Sequence, residues 1–314
     1  MIDFVSITKR TNKYNPFLGH CQHYRTDQSG KSYYYLDGCE KMKVTFNPNT
    51  SVLELKGSLA YFIKGHNFSF SKLELVEAVD VVDAMLGGVG LWGSRVECFE
   101  YGTIVPVETK PKEYIVRHKA LPDEHLRWVH NDKYKGLFEM WQDGGAHIKL
   151  YDARANLLLK QGYRRRQVIA QDGWNPELNY LKCEVRYTQP DLVNGNRPII
   201  LERLQDDEFI NLLKGDLMVK YHRLWPARGL VYPKDKRDFT SLDAALYMIA
   251  EQTGLPLDEM KRRIYATIDQ ADCLSKCDKD GRKAQFRKAF KKLQEAPTSR
   301  WDLTALIEEA LAKE

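Results

Sequence analysis

The hydrophobic positions of the chain follow two different periods. Over the first 67 residues the period is the two-residue one of strands. Short β-branched or aromatic runs fall at 4–7, 32–36, 42–46, 52–56 and 60–63, divided by turn signals at Gln28-Ser29-Gly30, Asp37-Gly38 and Asn47-Pro48-Asn49. This spacing predicts a β-meander. Ser71-Lys72-Leu73-Glu74 then reads as a capping box, in which serine and glutamate side chains satisfy each other's backbone N–H groups. Leu73, Val76, Val79, Val82 and Leu86 continue at the helical period and Gly87-Gly88 ends it, so one helix is expected there.

The strand period returns at 94–101, where Arg95, Glu97 and Phe99 share one face and Val96 and Cys98 the other. Runs at 137–141 and 147–151 read as a hairpin joined at Asp143-Gly144-Gly145. In its second strand His147, Lys149 and Tyr151 point the same way. The pattern then turns helical through Ala153, Ala155 and Leu157, which sets Tyr151 at a strand-to-helix junction, with the basic run Arg164-Arg165-Arg166 following. A strand at 180–187 places Lys182, Glu184 and Arg186 opposite Leu181, Cys183 and Val185. Beyond Pro190 the period is helical: Thr240 with Asp243 starts a helix that Gly254 breaks, and 257–268, 281–295 and 299–312 follow. The expected architecture is therefore α+β. It has an antiparallel-sheet domain over 1–190, a connecting segment over 191–235 marked by Pro226, Gly229 and Pro233, and a helical module over 236–314.

Composition adds limits. With 314 residues, 43% hydrophobic and 29% charged, the chain has ample material for a core and no disordered or fibrous bias. It opens Met-Ile-Asp-Phe-Val-Ser-Ile without the basic and apolar regions of a signal peptide, and no apolar run approaches the roughly 18 residues of a membrane span. With six scattered cysteines, a cytoplasmic protein with reduced thiols and no membrane partner is expected. The net charge of +5 permits a polyanionic partner without requiring one. Residues 261–300, however, carry 12 Lys/Arg against 5 Asp/Glu, including Lys261, Arg262, Arg263, Arg287 and Lys288. That concentration points to phosphate contact by the helical module. The helix pair around Gly254 reads either as a DNA-reading helix-turn-helix or, more commonly, as a helical hairpin in a core.

Candidate chemistry gathers around Tyr151, Glu97 and Glu184. Cleaving a DNA strand by transesterification needs an oxygen nucleophile, a hard divalent cation and carboxylates to hold it. Tyrosine suits this because its phosphodiester conserves the bond for later rejoining, and Lys149 and Arg186 would donate to the same phosphate. An ordinary reading competes: Glu97 and Glu184 as solvent-face residues paired with Arg95 and Arg186 across a sheet, and spacing alone favours it. In Lys64-Gly65-His66-Asn67, His66 is a candidate metal ligand, although Gly-His-Asn also makes an ordinary turn. His20-Cys21-Gln22-His23 with Cys39 lacks zinc-site spacing. Asp278-Lys279-Asp280-Gly281 opens like a calcium loop but has no glutamate at the twelfth position, and reads as a helix-linking turn.

The order of these pieces resembles a known family. Gly65-His66-Asn67, Ser94-Arg95-Val96-Glu97, Tyr151 in an apolar strand and Cys183-Glu184-Val185-Arg186 occur in the sequence order seen in the replication initiators of filamentous phages, the gene II protein type, and in related phage and plasmid rolling-circle initiators. The resemblance covers roughly residues 1–190. It implies a rolling-circle-initiator catalytic domain that nicks one strand at a specific origin, using Mg2+ or Mn2+. Tyr151 would become linked to the 5′ phosphate and leave a 3′-OH for a host polymerase, with a host helicase as a further partner. It implies Glu97, Glu184 and His66 as metal ligands, Arg186 and Arg154 as catalytic cations, and Asn67 and Arg95 as DNA contacts; by position and charge Lys149 is a further catalytic candidate and Arg164, Arg165 and Arg166 further DNA contacts. The family often has lysine two residues after the tyrosine, where this chain has Ala153, followed by Arg154. The closing step would use Tyr151 again, Tyr163, or the tyrosine of a second subunit, so a homodimer is compatible. Two other readings remain open: a non-catalytic DNA-binding initiator or repressor, and a conjugative relaxase acting at a transfer origin.

Overall fold

The computed structural model describes residues 1–11, 19–37, 39–120, 127–128, 138–155, 174–175, 177–226, 240–253, 257–295 and 301–313. Its centre is a 10-stranded sheet, antiparallel throughout. In chain order the strands are β1 (Ile2–Arg10), β2 (Cys21–Thr26), β3 (Ser32–Leu36), β4 (Cys39–Asn47), β5 (Val52–Ser58), β6 (Arg95–Val107), β7 (His118–Ala120), β8 (Arg127–Trp128), β9 (Phe138–Asp143), β10 (Ala146–Asp152), β11 (Asn179–Tyr187) and β12 (Leu224–Pro226). Their order across the sheet is β2-β3-β4-β5-β1-β6-β11-β10-β9-β8, and β7 pairs separately with β12. The α+β class and the antiparallel sheet are as expected from the hydrophobic pattern.

The helices are α1 (Leu59–Lys64), α2 (Lys72–Met85), α3 (Pro111–Ile115), α4 (Asp207–His222), α5 (Ser241–Thr253), α6 (Leu257–Gln270), α7 (Lys276–Glu295) and α8 (Thr304–Ala312). The Ser71/Glu74 capping box starts α2 as its sequence requires. Residues 60–63, expected as a strand, are instead the body of α1. Ser58 Oγ accepts the Tyr61 N–H at its start, and Gly65, at φ 77°, ends it in a left-handed cap. The calcium-like Asp278-Lys279-Asp280-Gly281 lies inside α7, because Ser275 and Asp278 cap that helix earlier than expected.

One face of the sheet is apolar. Val5, Ile7, Leu55, Val44, Leu36, Phe99, Tyr101, Val185, Ile148 and Leu150 pack there against Leu75, Val79 and Val82 of α2. Residues 191–235, expected as a connecting segment, add Leu201, Leu204, Phe209, Leu213, Leu217 and Tyr221 to this core. Trp301, Leu303, Ile307 and Leu311 join it from the C-terminal end. Helices α5, α6 and α7 form a separate cluster, around Leu246, Tyr247, Met260, Phe290 and Leu293. A helical unit distinct from the sheet therefore spans 241–295, narrower than 236–314, because α8 carries an apolar stripe that the sheet core covers.

Candidate active site

The opposite face of the central strands is polar and buried, and four adjacent strands build it. Asp3 lies on β1 where its register with β6 slips, Glu100 on β6, Lys182, Glu184 and Arg186 on β11, and Lys149 and Tyr151 on β10. Register sets Lys149 opposite Glu184, Tyr151 opposite Lys182, and Arg186 opposite Glu100. Gly102, opposite Glu184, is the residue that makes room: a Cβ there would collide with the Cys183 carbonyl oxygen and the Glu184 Cβ.

The side chains form one continuous network. Lys149 Nζ donates to Glu100 Oε1 at 2.5 Å and to Glu184 Oε1 at 2.9 Å. Lys182 Nζ donates to Asp3 Oδ2 at 2.6 Å and lies 3.0 Å from Glu184 Oε2. The Tyr151 hydroxyl donates to that same Glu184 Oε2 at 3.0 Å. Asp3 also accepts from Ser58 Oγ at 2.6 Å and from Asn67 Nδ2. Arg186 stands 3.5 Å from Glu100 Oε1, with its guanidinium over the Phe4 ring. Three carboxylates thus face two ammonium groups and one guanidinium, and this balance is what lets them be buried. A small apolar cluster of Ala153, Trp174 and Tyr180, with Phe68 and Ile104 against it, adjoins the Tyr151–Lys182 end.

Burial alone would raise the Glu184 carboxyl, but Lys149 and Lys182 override it and hold the group well below the usual range. Burial likewise opposes the charge on both lysines, and their carboxylate partners outweigh it and raise them. Glu100 is raised, first by burial and then by the Glu184 charge, with Lys149 offsetting part. Tyr151 is raised well above the ordinary phenol, again by burial and then by Glu184. The resting site is a closed ionic network with a protonated tyrosine.

Of the residues expected at the site, Tyr151, Lys149, Glu184, Arg186 and Asn67 are brought together. Glu97 is not. A register shift between Ser6 and Ile7 of β1 breaks the alternation on β6, so that Phe99 and Tyr101 turn to the core and Glu100 turns to the polar face. Glu97 sits at the break, accepting from Thr8 Oγ1 at 2.7 Å with Arg95 at 3.6 Å, and Arg95 also pairs with Asp191 at 2.9 Å. His66 is buried, and its Nδ1 accepts the Phe68 N–H at 3.3 Å. Arg154 lies beside Asp152 just past β10. On the helical unit, Arg262 and Arg263 pair with Glu259, Lys261 lies over the Tyr265 ring, and Arg287 and Lys288 are exposed. Arg164, Arg165, Arg166 and Tyr163 fall outside the described residues.

Asp3, Glu100 and the bridging role of Lys182 were not anticipated. Asp3 had a visible signal, a charged residue inside the apolar run Ile2 to Val5. Glu100 had none, since one slipped residue reverses which side chains face inward.

Asp3, Glu100 and Glu184 are also the group suited to a metal ion: one oxygen from each lies within 4.8 Å of the others. Ligand oxygens on one Mg2+ stand about 3.0 Å apart when adjacent and about 4.2 Å when opposite, so the three would have to draw together to hold an ion, and their hard carboxylate chemistry fits Mg2+ or Mn2+. Lys149 and Lys182 already occupy the same oxygens and would have to yield. No protein-family model matches the chain, and no curated protein matches it. No helix among the described residues is long and apolar enough to cross a membrane, and all six cysteines are free.

Proposed function

We propose that this chain is a rolling-circle DNA replication initiator, which nicks one strand at an origin by tyrosine transesterification and later rejoins the ends. One observation carries the reading. The only phenol in the buried carboxylate network, among the described residues, is Tyr151, the residue that the resemblance to gene II type initiators marks as nucleophile, and it is hydrogen-bonded to Glu184.

In the proposed reaction the Tyr151 oxygen attacks the scissile phosphorus, an O–P bond forms, and the bond to the 3′ oxygen breaks. The tyrosine proton leaves the phenol, and the departing 3′ oxygen gains a proton to become the 3′-OH. Glu184 Oε2 is the acceptor already in contact with that phenolic proton. At rest it is a weak base, because Lys149 and Lys182 stabilise its charge. A divalent cation held by Asp3, Glu100 and Glu184 would supply the positive field that polarises the phosphate and favours the phenolate. Lys149 and Arg186, released from the carboxylates, would serve as phosphate donors. Charge supports this order: a dication and a phosphodiester add one positive charge to a network that is balanced at rest, which favours loss of the phenolic proton, and the balance returns once that proton leaves the network. Cation and strand would then enter cooperatively, and the cation would bind poorly alone.

Exposed basic residues of the helical unit, among them Arg287 and Lys288, would supply duplex contacts at the origin, and the 3′-OH would pass to a host polymerase. The test is cleavage of single-stranded oligonucleotides tiling the DNA around the gene, with Mg2+ or Mn2+. Wild type should give a protein-linked 5′ end and a free 3′-OH, and Tyr151→Phe should bind the same DNA without forming the link. A second reading is favoured by the completeness of the network: a non-catalytic DNA-binding initiator whose polar face is structural. A mobility shift without any cleavage would support it. A relaxase acting at a transfer origin would share the chemistry and differ only in the DNA cut.

A further inference from the structure

The polar face of the sheet does not end at the active site. Following the register outward from it, Cys98 faces Ser6, Ser6 faces Lys56, Lys56 faces Lys43, and Lys43 faces Tyr35. At the inner end Arg186 contacts Cys98. At the outer end Tyr35 of β3 stacks on Tyr24 of β2, with ring centroids 4.1 Å apart and planes 13° off parallel. Tyr33 lies beside them, 6.2 Å from Tyr24, with the Arg25 guanidinium and the Lys31 ammonium over its ring.

Two features of this strip do not serve the fold. Lys43 and Lys56 are both exposed and stand directly opposite each other, an arrangement that costs stability in a sheet. Among the described residues no carboxylate pairs with either, whereas Lys31 nearby is paired with Glu54 at 3.0 Å. Edge strand β2 leaves Tyr24 40% exposed, although a tyrosine pair is good core material. Stacked aromatic rings beside unpaired lysines on an open antiparallel sheet match a chain of bases and phosphates: every base offers a π-face, and its phosphates neutralise the lysines.

We propose that the outer face of β2–β5 binds single-stranded nucleic acid, with Tyr24 and Tyr35 stacking bases and Lys43 and Lys56 holding the backbone that leads toward Tyr151. Tyr35 and Arg186 are five strand spacings apart, about 24 Å. That distance takes about seven nucleotides at the stacked spacing of ~3.4 Å, and fewer if the strand is stretched. Binding itself stands apart from the nicking reading, and only the direction of the track rests on it.

The test is fluorescence anisotropy of the full chain with labelled oligothymidylate, which lacks any origin sequence. Tyr24→Ala and Tyr35→Ala should each weaken binding roughly 5- to 100-fold. The double variant Lys43→Gln, Lys56→Gln should lower the salt slope by about 1.4, roughly 0.7 per lost phosphate contact. Thermal melts confirm that each variant is folded, and the lysine variants, being exposed, guard against loss of fold at Tyr35. Affinities within twofold of wild type, with an unchanged salt slope, would overturn the track, as would variants that alter self-association and leave DNA binding intact. If these variants lose binding while Tyr151→Phe still cleaves, the track stands and the nicking assignment falls. If Tyr151-dependent cleavage persists but the variants bind normally, the reverse holds.

Discussion

Lys182 is the residue on which the buried network depends most, and Lys182→Met tests that dependence. Its side chain is 1% exposed, with Nζ 2.6 Å from Asp3 Oδ2 and 3.0 Å from Glu184 Oε2. At an effective dielectric of about 20, these two contacts represent about 6.4 and about 5.5 kcal/mol of gross attraction. Desolvation of the ions offsets most of that, so the intact pair adds little net stability. Removing one partner is different: methionine fills the volume but leaves buried Asp3 with the neutral donors Ser58 and Asn67 and Glu184 with Lys149, a loss of about 3–5 kcal/mol. The assay is urea unfolding at neutral pH and again at about pH 4. The deficit should be full at neutral pH and shrink on acidification, because Glu184, no longer held down by Lys182, takes up a proton and the stranded charge disappears. Mn2+ should also stabilise the variant more than wild type, since an ammonium competing for the same oxygens has gone. A variant within about 1 kcal/mol of wild type at neutral pH would refute the account of the site as a charge-balanced network.

Two further predictions concern the frame of the site. His118 is buried and neutral, with Nδ1 2.8 Å from the Tyr114 carbonyl oxygen and Nε2 3.0 Å from the Tyr221 hydroxyl. Burial holds it down at about 4 from an ordinary 6.5, so its contribution is complete above 6.5 and is lost as pH falls through 4. That loss is about 3 kcal/mol, measurable as a drop in the denaturant midpoint that His118→Phe should lessen. Gly102→Ala should cost about 2 kcal/mol or more and displace Glu184 from the network, because the new Cβ has no space against β11. An unfolding midpoint equal to that of wild type would show that the two strands separate without cost.

Much of the fold could be read from the chain because its signals are local. The Ser71/Glu74 box, the Asp143-Gly144-Gly145 turn and the alternation of 180–187 each need only a few neighbouring residues, and each marks an observed element. The failures have a common physical cause, namely interactions set by distant parts of the chain. Residues 60–63 have strand-like side chains, yet a cap from Ser58 and a left-handed Gly65 make them helical. No local pattern marks β2, because an exposed edge strand has no apolar alternation to display. At the site, Lys149, Tyr151, Glu184 and Arg186 were readable from parity, whereas the slip on β6 exchanges Glu97 for Glu100. Asp3 joins from a strand that only the sheet order brings beside β6. The place of Tyr151 in the network therefore rests on alternation that held, and the carboxylate set on pairing that no local pattern encodes.

In the proposed reaction Tyr151 is the group that takes the DNA. The direct measurement is mass spectrometry of proteolysed protein after incubation with cleavable single-stranded DNA and Mn2+. The expected product is a peptide containing Tyr151 whose phenolic oxygen carries a nucleotide 5′ phosphate, lost completely in Tyr151→Phe. Cleavage that leaves the link on another residue, or that continues unchanged in Tyr151→Phe, would contradict that role.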